Sequence, residues 1–407
     1  MKIVRIIARL NIGGPAVHVV LLTCGLQGRG HECSLLTGPV QQGEGNMEYY
    51  AAERSVTFTR IEELVRPISP RKDLIALWKI YRFLQKENPD IVHTHTSKAG
   101  TLGRAAALLA GVPAIFHTFH GSVFDGYFSP LKTWLFLAIE RVLARFTDRV
   151  ITVSPGLKKQ LSDVYKIAPP DKIEVVRLGF DLNEFAGVAR EKQRKTSGGN
   201  GGAPVIGWVG RFTEIKDPLL FVEFATTVRA AGVSAKFAMV GDGPMRSRIE
   251  QTISASGLRP DFSLLGWQRN MPQMYSGMDV LVSTSVNEGT PVTIIEGMAT
   301  GCPFVAPDVG GLADLTKGTP QHSEGFQTYA NGILVTRRDA QTLCRAVSSL
   351  LSDAQLRLRM GQAGRQFALD NFGEERLLRE MELLYERCRK SRVEVPRHSL
   401  NSAESEK

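Results

Sequence analysis

The 407-residue chain is 43% hydrophobic and 22% charged, the balance of an ordinary globular protein of two or three domains, which excludes collagen-like, disordered and disulfide-scaffold chains. Lysine and arginine exceed the acids by nine, and the first half is the basic one, with 24 Lys+Arg against 17 Asp+Glu in Met1–Arg190. Such a half points to an anionic partner: nucleic acid, anionic lipid or a phosphorylated substrate.

The opening run MKIVRIIARLNIGG is interrupted by Arg5 and Arg9 and does not read as a signal peptide. The longest apolar stretch, Ala105–Phe116, has 12 residues, short of the ~18 needed to span a bilayer. Five scattered cysteines without a Cys-x-x-Cys pair predict a reduced, cytoplasmic chain with no structural zinc. Strands are predicted at Lys2–Ile7, Glu32–Leu36, Val56–Thr59, Asp90–His93, Pro113–His117, Arg149–Val153 and Lys172–Val176. Helical patterns lie between them at Ala16–Gly28, Asp73–Lys86, Thr101–Ala110 and Leu131–Ala144. Residues 187–204 are polar and glycine-rich and read as an exposed linker. The alternation then restarts, with strands at Val205–Val209, Ala235–Val240, Phe262–Leu265, Val280–Ser283 and Pro303–Ala306. Helices are expected at Pro218–Ala230, Met245–Ser254, Val292–Ala299 and Ala340–Leu351.

Continuous apolar strands alternating with helices predict an α/β protein with two doubly wound, parallel-sheet (Rossmann-like) domains. The first spans 1–186 and the second 205–370. A helix over 371–390 is expected to pack back on the first domain, and 391–407 to form a disordered tail. Two such sheets facing one cleft would place function in the loops after their strands.

Two loops of the second half carry the chemistry. In Asn287-Glu288-Gly289-Thr290-Pro291-Val292 the glycine permits close backbone approach, Thr290 can cap a helix and Pro291 suits its first position. Free amides at that helix start make an anion site framed by Glu288 and Glu296. Arg211 and Lys216 stand in the loop after the first strand of this half. Two cations there can neutralise a diphosphate leaving group without metal. In the first half His93, His95, His117 and His120 lie on adjacent strand ends and are a ligand type that zinc prefers. The second-half loops favour hydrogen bonds to hydroxyl-rich substrates instead, so no metal is expected.

Together Gly210-Arg211…Lys216, Glu288-Gly289-Thr290-Pro291…Glu296 and Gly301-Cys302-Pro303 resemble family 4 retaining glycosyltransferases of the GT-B fold. Gly13-Gly14-Pro15-Ala16-Val17-His18, Thr118-Phe119-His120-Gly121 and Val240-Gly241-Asp242-Gly243-Pro244 agree, and the resemblance runs from Met1 to about Arg389. It is most similar to bacterial enzymes that build exported or lipid-linked polysaccharides. The resemblance implies a nucleotide-diphosphate sugar, a UDP-sugar type of donor, and transfer to a sugar or lipid-linked acceptor hydroxyl. Arg211 and Lys216 would contact the diphosphate, Glu296 the ribose and Glu288 the sugar. Gly210, Gly241, Gly289, Thr290, Pro291 and Val292 would shape the donor site, with Trp267 beside the base. Gly14 would let its loop reach the phosphate or sugar, and His120 would lie near the transferred sugar. His18, His95 and Lys98 are acceptor-side candidates. Many members have glycine after the lysine where this chain has Asp217, a position expected only to shape the helix start.

No Asp-x-Asp occurs, which argues against the metal-dependent GT-A design, and no cofactor is expected. Arg71, Lys72, Lys79, Arg82 and Lys86 lie on or before one amphipathic helix, with Leu74, Leu77, Trp78 and Tyr81. That pattern suits peripheral contact with anionic lipid at the inner face of the membrane, and equally a helix covering a sheet. Two alternatives remain at this point: a nucleotide-sugar epimerase on the same architecture, and an NAD-dependent oxidoreductase using Gly241-Asp242-Gly243-Pro244-Met245-Arg246. The latter lacks the third glycine of a dinucleotide fingerprint. A nucleic-acid role would rest on charge alone, and none is expected.

Overall fold

The computed structural model describes residues 1–41, 45–121, 130–188 and 202–393. The chain divides into two units, Met1–Gly179 with the segment from Glu374 onward, and Phe180–Gly373.

The first unit is built on seven strands: β1 (Lys2–Arg9), β2 (Glu32–Gly38), β3 (Phe58–Arg60), β4 (Ile91–His95), β5 (Ala114–Phe119), β6 (Arg149–Thr152) and β7 (Ile173–Val175). They form one parallel sheet in the order β3-β2-β1-β4-β5-β6-β7. Strand order reverses between β1 and β4, the crevice where open α/β sheets bind ligands. Its helices are α1 (Gly14–Gly28), α2 (Glu48–Glu53), α3 (Pro70–Glu87), α4 (Ser97–Leu109), α5 (Pro130–Arg145) and α6 (Pro155–Lys159). Val4 and Ile6 of β1 face α3 and α4, packing with Ala76, Ile80, Ala106 and Ala107. Ile3 and Ile7 face the other way, toward α1. Period-two alternation with both faces buried is why these strands read as continuous apolar runs. A buried ion pair, Arg104 to Glu140 at 2.6 Å, ties α4 to α5.

The second unit holds α7 (Asn183–Gly187) and eight strands: β8 (Val205–Val209), β9 (Lys236–Val240), β10 (Phe262–Gly266), β11 (Val280–Val282), β12 (Phe304–Pro307), β13 (Gln321–Ser323), β14 (Phe326–Tyr329) and β15 (Gly332–Val335). Their order is β10-β9-β8-β11-β12-β15-β14-β13, and the reversal falls between β8 and β11. The strands from β10 to β15 in that order pair in parallel, while β14 and β13 form an antiparallel edge. The helices are α8 (Pro218–Ala230), α9 (Arg246–Ala255), α10 (Met271–Ser276), α11 (Val292–Ala299), α12 (Ala340–Ser352) and α13 (Ala354–Phe372). Phe221, Phe224, Phe237 and Phe262 pack edge to face and stacked under α8.

The division between units falls at Phe180, seven residues before the expected linker. Phe180 donates its backbone N–H to the Phe372 carbonyl at 2.8 Å, and Phe185 of α7 lies 6.1 Å from the Tyr275 ring. Residues 180–187 are therefore held by the second unit. Residues 189–201 of the expected linker and 394–407 of the expected tail lie outside the described residues. At the other end the chain returns to the first unit as α14 (Glu374–Val393). Leu377, Leu378, Met381, Leu384 and Tyr385 bury themselves against Ile3, Leu22, Leu26, Ile91, Phe116 and Ile151. No helix among the described residues is long and apolar enough to cross a membrane.

Candidate active site

In the second unit the expected donor residues stand on the loops that follow β8 and β11, the two strands flanking the reversal of strand order. Gly210 leaves β8 with its N–H on the Val240 carbonyl at 3.0 Å. Gly241, at φ +134°, faces the same turn so closely that a Cβ would lie 1.9 Å from the Gly210 carbonyl oxygen. Only glycine tolerates both the approach and that backbone angle. The loop then forms a short 3₁₀ turn over Glu214–Lys216. Asp217 takes the left-handed conformation and caps α8, its Oδ1 accepting from the Leu220 N–H at 3.3 Å. Its other oxygen pairs with Arg338.

Lys216 reaches the loop after β11, where its ammonium donates to Glu288 Oε1 at 2.5 Å. The Ser285 hydroxyl donates to the same oxygen at 2.7 Å. Glu288 is further fixed from behind: the Gly311 N–H donates to its carbonyl at 2.9 Å. Cβ atoms on Gly310 and Gly311 would lie 2.0 Å and 1.8 Å from the Glu288 and Gly289 carbonyl oxygens. Arg211 is partly buried and makes no side-chain ion pair among the described residues, so its charge is uncommitted.

The helix after this loop starts at Val292 as its sequence predicts, but its cap is not Thr290. Pro291 occupies the cap position itself, with φ −77° and ψ 90°, and α11 begins at Val292. Thr290 therefore does not cap it, and its buried hydroxyl has no hydrogen-bond partner among the described residues. The first amides of α11 still lack helical acceptors, as at any helix start. One turn on, Glu296 Oε2 accepts from the Tyr275 hydroxyl at 2.8 Å. Burial pushes the Glu296 carboxyl up to about 7, and the hydrogen bond from Tyr275 holds it below where burial alone would. Trp267, just past β10, is 53% exposed and free to present its ring.

That raised value has a stability sign. Between the ordinary 4.5 and about 7 the folded chain keeps a proton that the unfolded chain releases, so Glu296 erodes stability as pH rises through that window. Glu296→Gln is expected to raise Tm relative to the parent at pH 8 and to leave it nearly unchanged at pH 4. Thermal melts at both pH values check this, and an equal shift at both would remove the buried-carboxylate account.

In the first unit, Gly14 opens α1, His18 lies on its buried face, His95 ends β4 and His120 follows β5. The segment after it, 122–129, lies outside the described residues. His93 uses both ring nitrogens, 2.6 Å from the Tyr385 hydroxyl and 2.7 Å from that of Thr118. His117 Nδ1 meets the Thr94 hydroxyl at 2.8 Å. His95 Nδ1 and His120 Nε2 share a hydrogen bond of 3.1 Å. Burial lowers the pKa of all these imidazoles, His120 to about 3, so they are neutral. Lys98 does not join them. Its ammonium pairs with Asp73 of α3 at 2.5 Å and donates to the Val65 and Pro67 carbonyls, which commits it to α3 and the segment leading into it.

A model of Glycosyltransferase Family 4 matches residues 12–184, and one of Glycosyl transferases group 1 matches 203–353. An Escherichia coli UDP-Gal:alpha-D-GlcNAc-diphosphoundecaprenol alpha-1,3-galactosyltransferase is 33% identical over 67% of this chain and 71% of its own length. The chain belongs to the family 4 glycosyltransferases. A 2-deoxystreptamine N-acetyl-D-glucosaminyltransferase of Streptomyces fradiae is 31% identical over 72% of this chain and 70% of its own. The fold matches Anabaena HepE in complex with UDP at a TM-score of 0.79 and 19% identity, over 95% of this chain and 100% of that one. The two parallel-sheet units are thus those of a GT-B glycosyltransferase, and the protein is a transferase.

The epimerase and oxidoreductase alternatives fall with that assignment. Gly241 and Gly243, which suggested a dinucleotide turn, serve backbone contacts with Gly210 and Phe212. Of the residues that shape the candidate site, sequence reading missed Tyr275, Ser285, Gly310, Gly311 and Arg338. The paired glycines after β12 were the one local signal, since adjacent glycines mark close backbone approach.

Proposed function

We propose that this glycosyltransferase moves a hexose from a UDP-sugar to a hydroxyl of a lipid-linked or exported glycan, with retention at the anomeric carbon. The observation that carries the reading is the convergence, after β8 and β11, of two cations, a helix start and two carboxylates. Arg211 and Lys216 neutralise the departing diphosphate, aided by the amides of α11 at Val292. Lys216 exchanges Glu288 for phosphate oxygens when donor binds, which frees Glu288 for the sugar hydroxyls. Glu296 accepts hydrogen bonds from the ribose, and Trp267 lies along the base. In the first unit Gly14 lets backbone amides approach the donor, His120 contacts the transferred sugar, and His18 and His95 lie on the acceptor side. With donor bound, Glu288 keeps the Ser285 hydroxyl and turns to the sugar hydroxyls rather than to the anomeric carbon, which favours front-face displacement. The Escherichia coli relative, named for UDP-Gal and a diphosphoundecaprenol acceptor, supports the donor and acceptor classes.

A screen of nucleotide sugars with and without acceptor tests this directly. Release of UDP coupled to a new glycosidic bond is expected. Product formed from donor alone, or no UDP released from any UDP-sugar, would overturn the reading. Because the cations are built into the chain, activity is expected to persist in EDTA. Complete loss reversed by magnesium would contradict that.

We further propose a cytoplasmic protein that touches the inner face of the membrane through α3. Leu74 and Trp78 stand 67% and 58% exposed beside Arg71, Lys72, Arg82 and Lys86. Exposed apolar rings amid basic side chains suit an anionic bilayer. Flotation with anionic but not zwitterionic vesicles is expected, and should fail for Leu74→Glu/Trp78→Glu.

A further inference from the structure

His18, His95 and His120 each bring a ring nitrogen to within 4.8 Å of the other two. They come from α1, the end of β4 and the residue after β5, at the strand reversal of the first unit. Both nitrogens of His18, Nε2 of His95 and Nδ1 of His120 are shut away from solvent without a hydrogen-bond partner among the described residues. Native interiors leave few such atoms, and the His18 ring, with neither nitrogen partnered and set beside the His95 Nδ1–His120 Nε2 pair, calls for a ligand. Their neighbours do not share the deficit, since His93 and His117 are already hydrogen-bonded. The sequence grouping of His93, His95, His117 and His120 is thus re-sorted: two are satisfied, and His18 completes a different set.

We propose that His18, His95 and His120 form a binding site for a divalent transition metal of the zinc type, with a fourth position open to water or a substrate hydroxyl. Zinc–nitrogen bonds of about 2.0–2.1 Å in a tetrahedron put ligand nitrogens about 3.3 Å apart. The 3.1 Å between His95 Nδ1 and His120 Nε2 is already close to that spacing. Metal selectivity follows from the surroundings. Arg5, fully buried on the sheet face toward α1, lies beside Tyr385 and Cys33 without a hydrogen bond of good geometry. Its charge opposes any divalent cation, so the site binds only a metal whose bonds to three imidazole nitrogens outweigh that repulsion, and no carboxylate belongs to the set. Magnesium, which needs oxygen ligands, is excluded, while zinc, cobalt, nickel and copper bind through nitrogen donation.

The metal is no cofactor of the transfer. Placed on His120 it blocks the sugar, so zinc acts as a reversible inhibitor. That consequence, unlike the binding itself, rests on the proposed role of His120.

The test uses the full chain, freed of metal by chelation and titrated with cobalt(II). Visible absorption of four-coordinate cobalt is expected, bleached by one equivalent of zinc and untouched by excess magnesium. His18→Gln and His95→Gln should each weaken cobalt binding by more than about tenfold. His322→Ala, on the exposed strand β13, should bind as the parent does. In the parent itself, paramagnetic proton spectra should show cobalt-shifted resonances from three imidazoles, a readout independent of whether a variant folds. No visible band in the parent, or bands unchanged in both glutamine variants, would overturn the site. If cobalt binds but zinc leaves transfer unaffected, the metal site stands and the placement of His120 at the sugar fails.

Discussion

Lys216→Ala is expected to lower kcat by about 10²-fold or more while changing donor affinity less, because its charge counts most as the diphosphate departs. In the structure the ammonium is already aimed at the loop after β11, 2.5 Å from Glu288. Removing it leaves Glu288 with only the Ser285 hydroxyl and deprives the leaving group of one of two cations. Arg211→Ala is expected to lose as much, since Arg211 makes no side-chain ion pair among the described residues and its charge is available to phosphate. Arginine at 216 would not restore the site, because a planar fork cannot replace a compact ammonium in the same space. Steady-state kinetics with any accepted donor decides the matter. Near-normal turnover of Lys216→Ala would remove the leaving-group assignment.

The second large effect separates two losses of activity by their cause. Glu296→Ala is expected to weaken binding of the nucleoside diphosphate, since a ribose contact is present in ground and transition states alike. His120→Ala is expected to cripple transfer yet leave nucleotide affinity nearly intact, because its contact is with the sugar being moved. Calorimetric titration of UDP into both variants is the measurement. Equal losses of affinity, or none in Glu296→Ala, would show that the donor has been assigned to the wrong residues. Titration across pH 6–8 adds a second reading: the parent should gain affinity as Glu296 ionises near pH 7, and Glu296→Gln should not.

What could be read from sequence was the part governed by local periodicity. Continuous Val/Ile runs between amphipathic helices placed β1 through β12, and Pro218 and Val292 marked their helix starts to the residue. Strands β13–β15 went unread, because β13 and β14 lack apolar alternation and the buried β15, after the Ala330-Asn331 turn, is only four residues long. The loops after β8 and β11 were legible as a candidate site since their chemistry is contiguous in the chain. Tyr275 and Ser285 were not, because a hydroxyl that holds a carboxylate has no signature until folding brings the two together. The histidines show the same limit. Which of five imidazoles are satisfied depends on which sheet face each occupies and on Tyr385, nearly 300 residues away, and no spacing rule encodes that.

The return of α14 to the first unit has a consequence for how the chain is made. Ile3, Ile91 and Phe116 are covered by a helix translated after the whole second unit, and His93 finds its Tyr385 partner only then. At about 5–20 residues per second, the ribosome spends on the order of 10–40 s between finishing Gly179 and reaching Glu374. Throughout that interval the first sheet is complete and carries α1 but lacks the α14 cover over Ile91, Phe116 and Ile151, while the second unit, contiguous in sequence, closes its own core. The domain synthesised first is therefore the last to be finished. Nascent chains stalled before Glu374 are the species most exposed to chaperones and proteases.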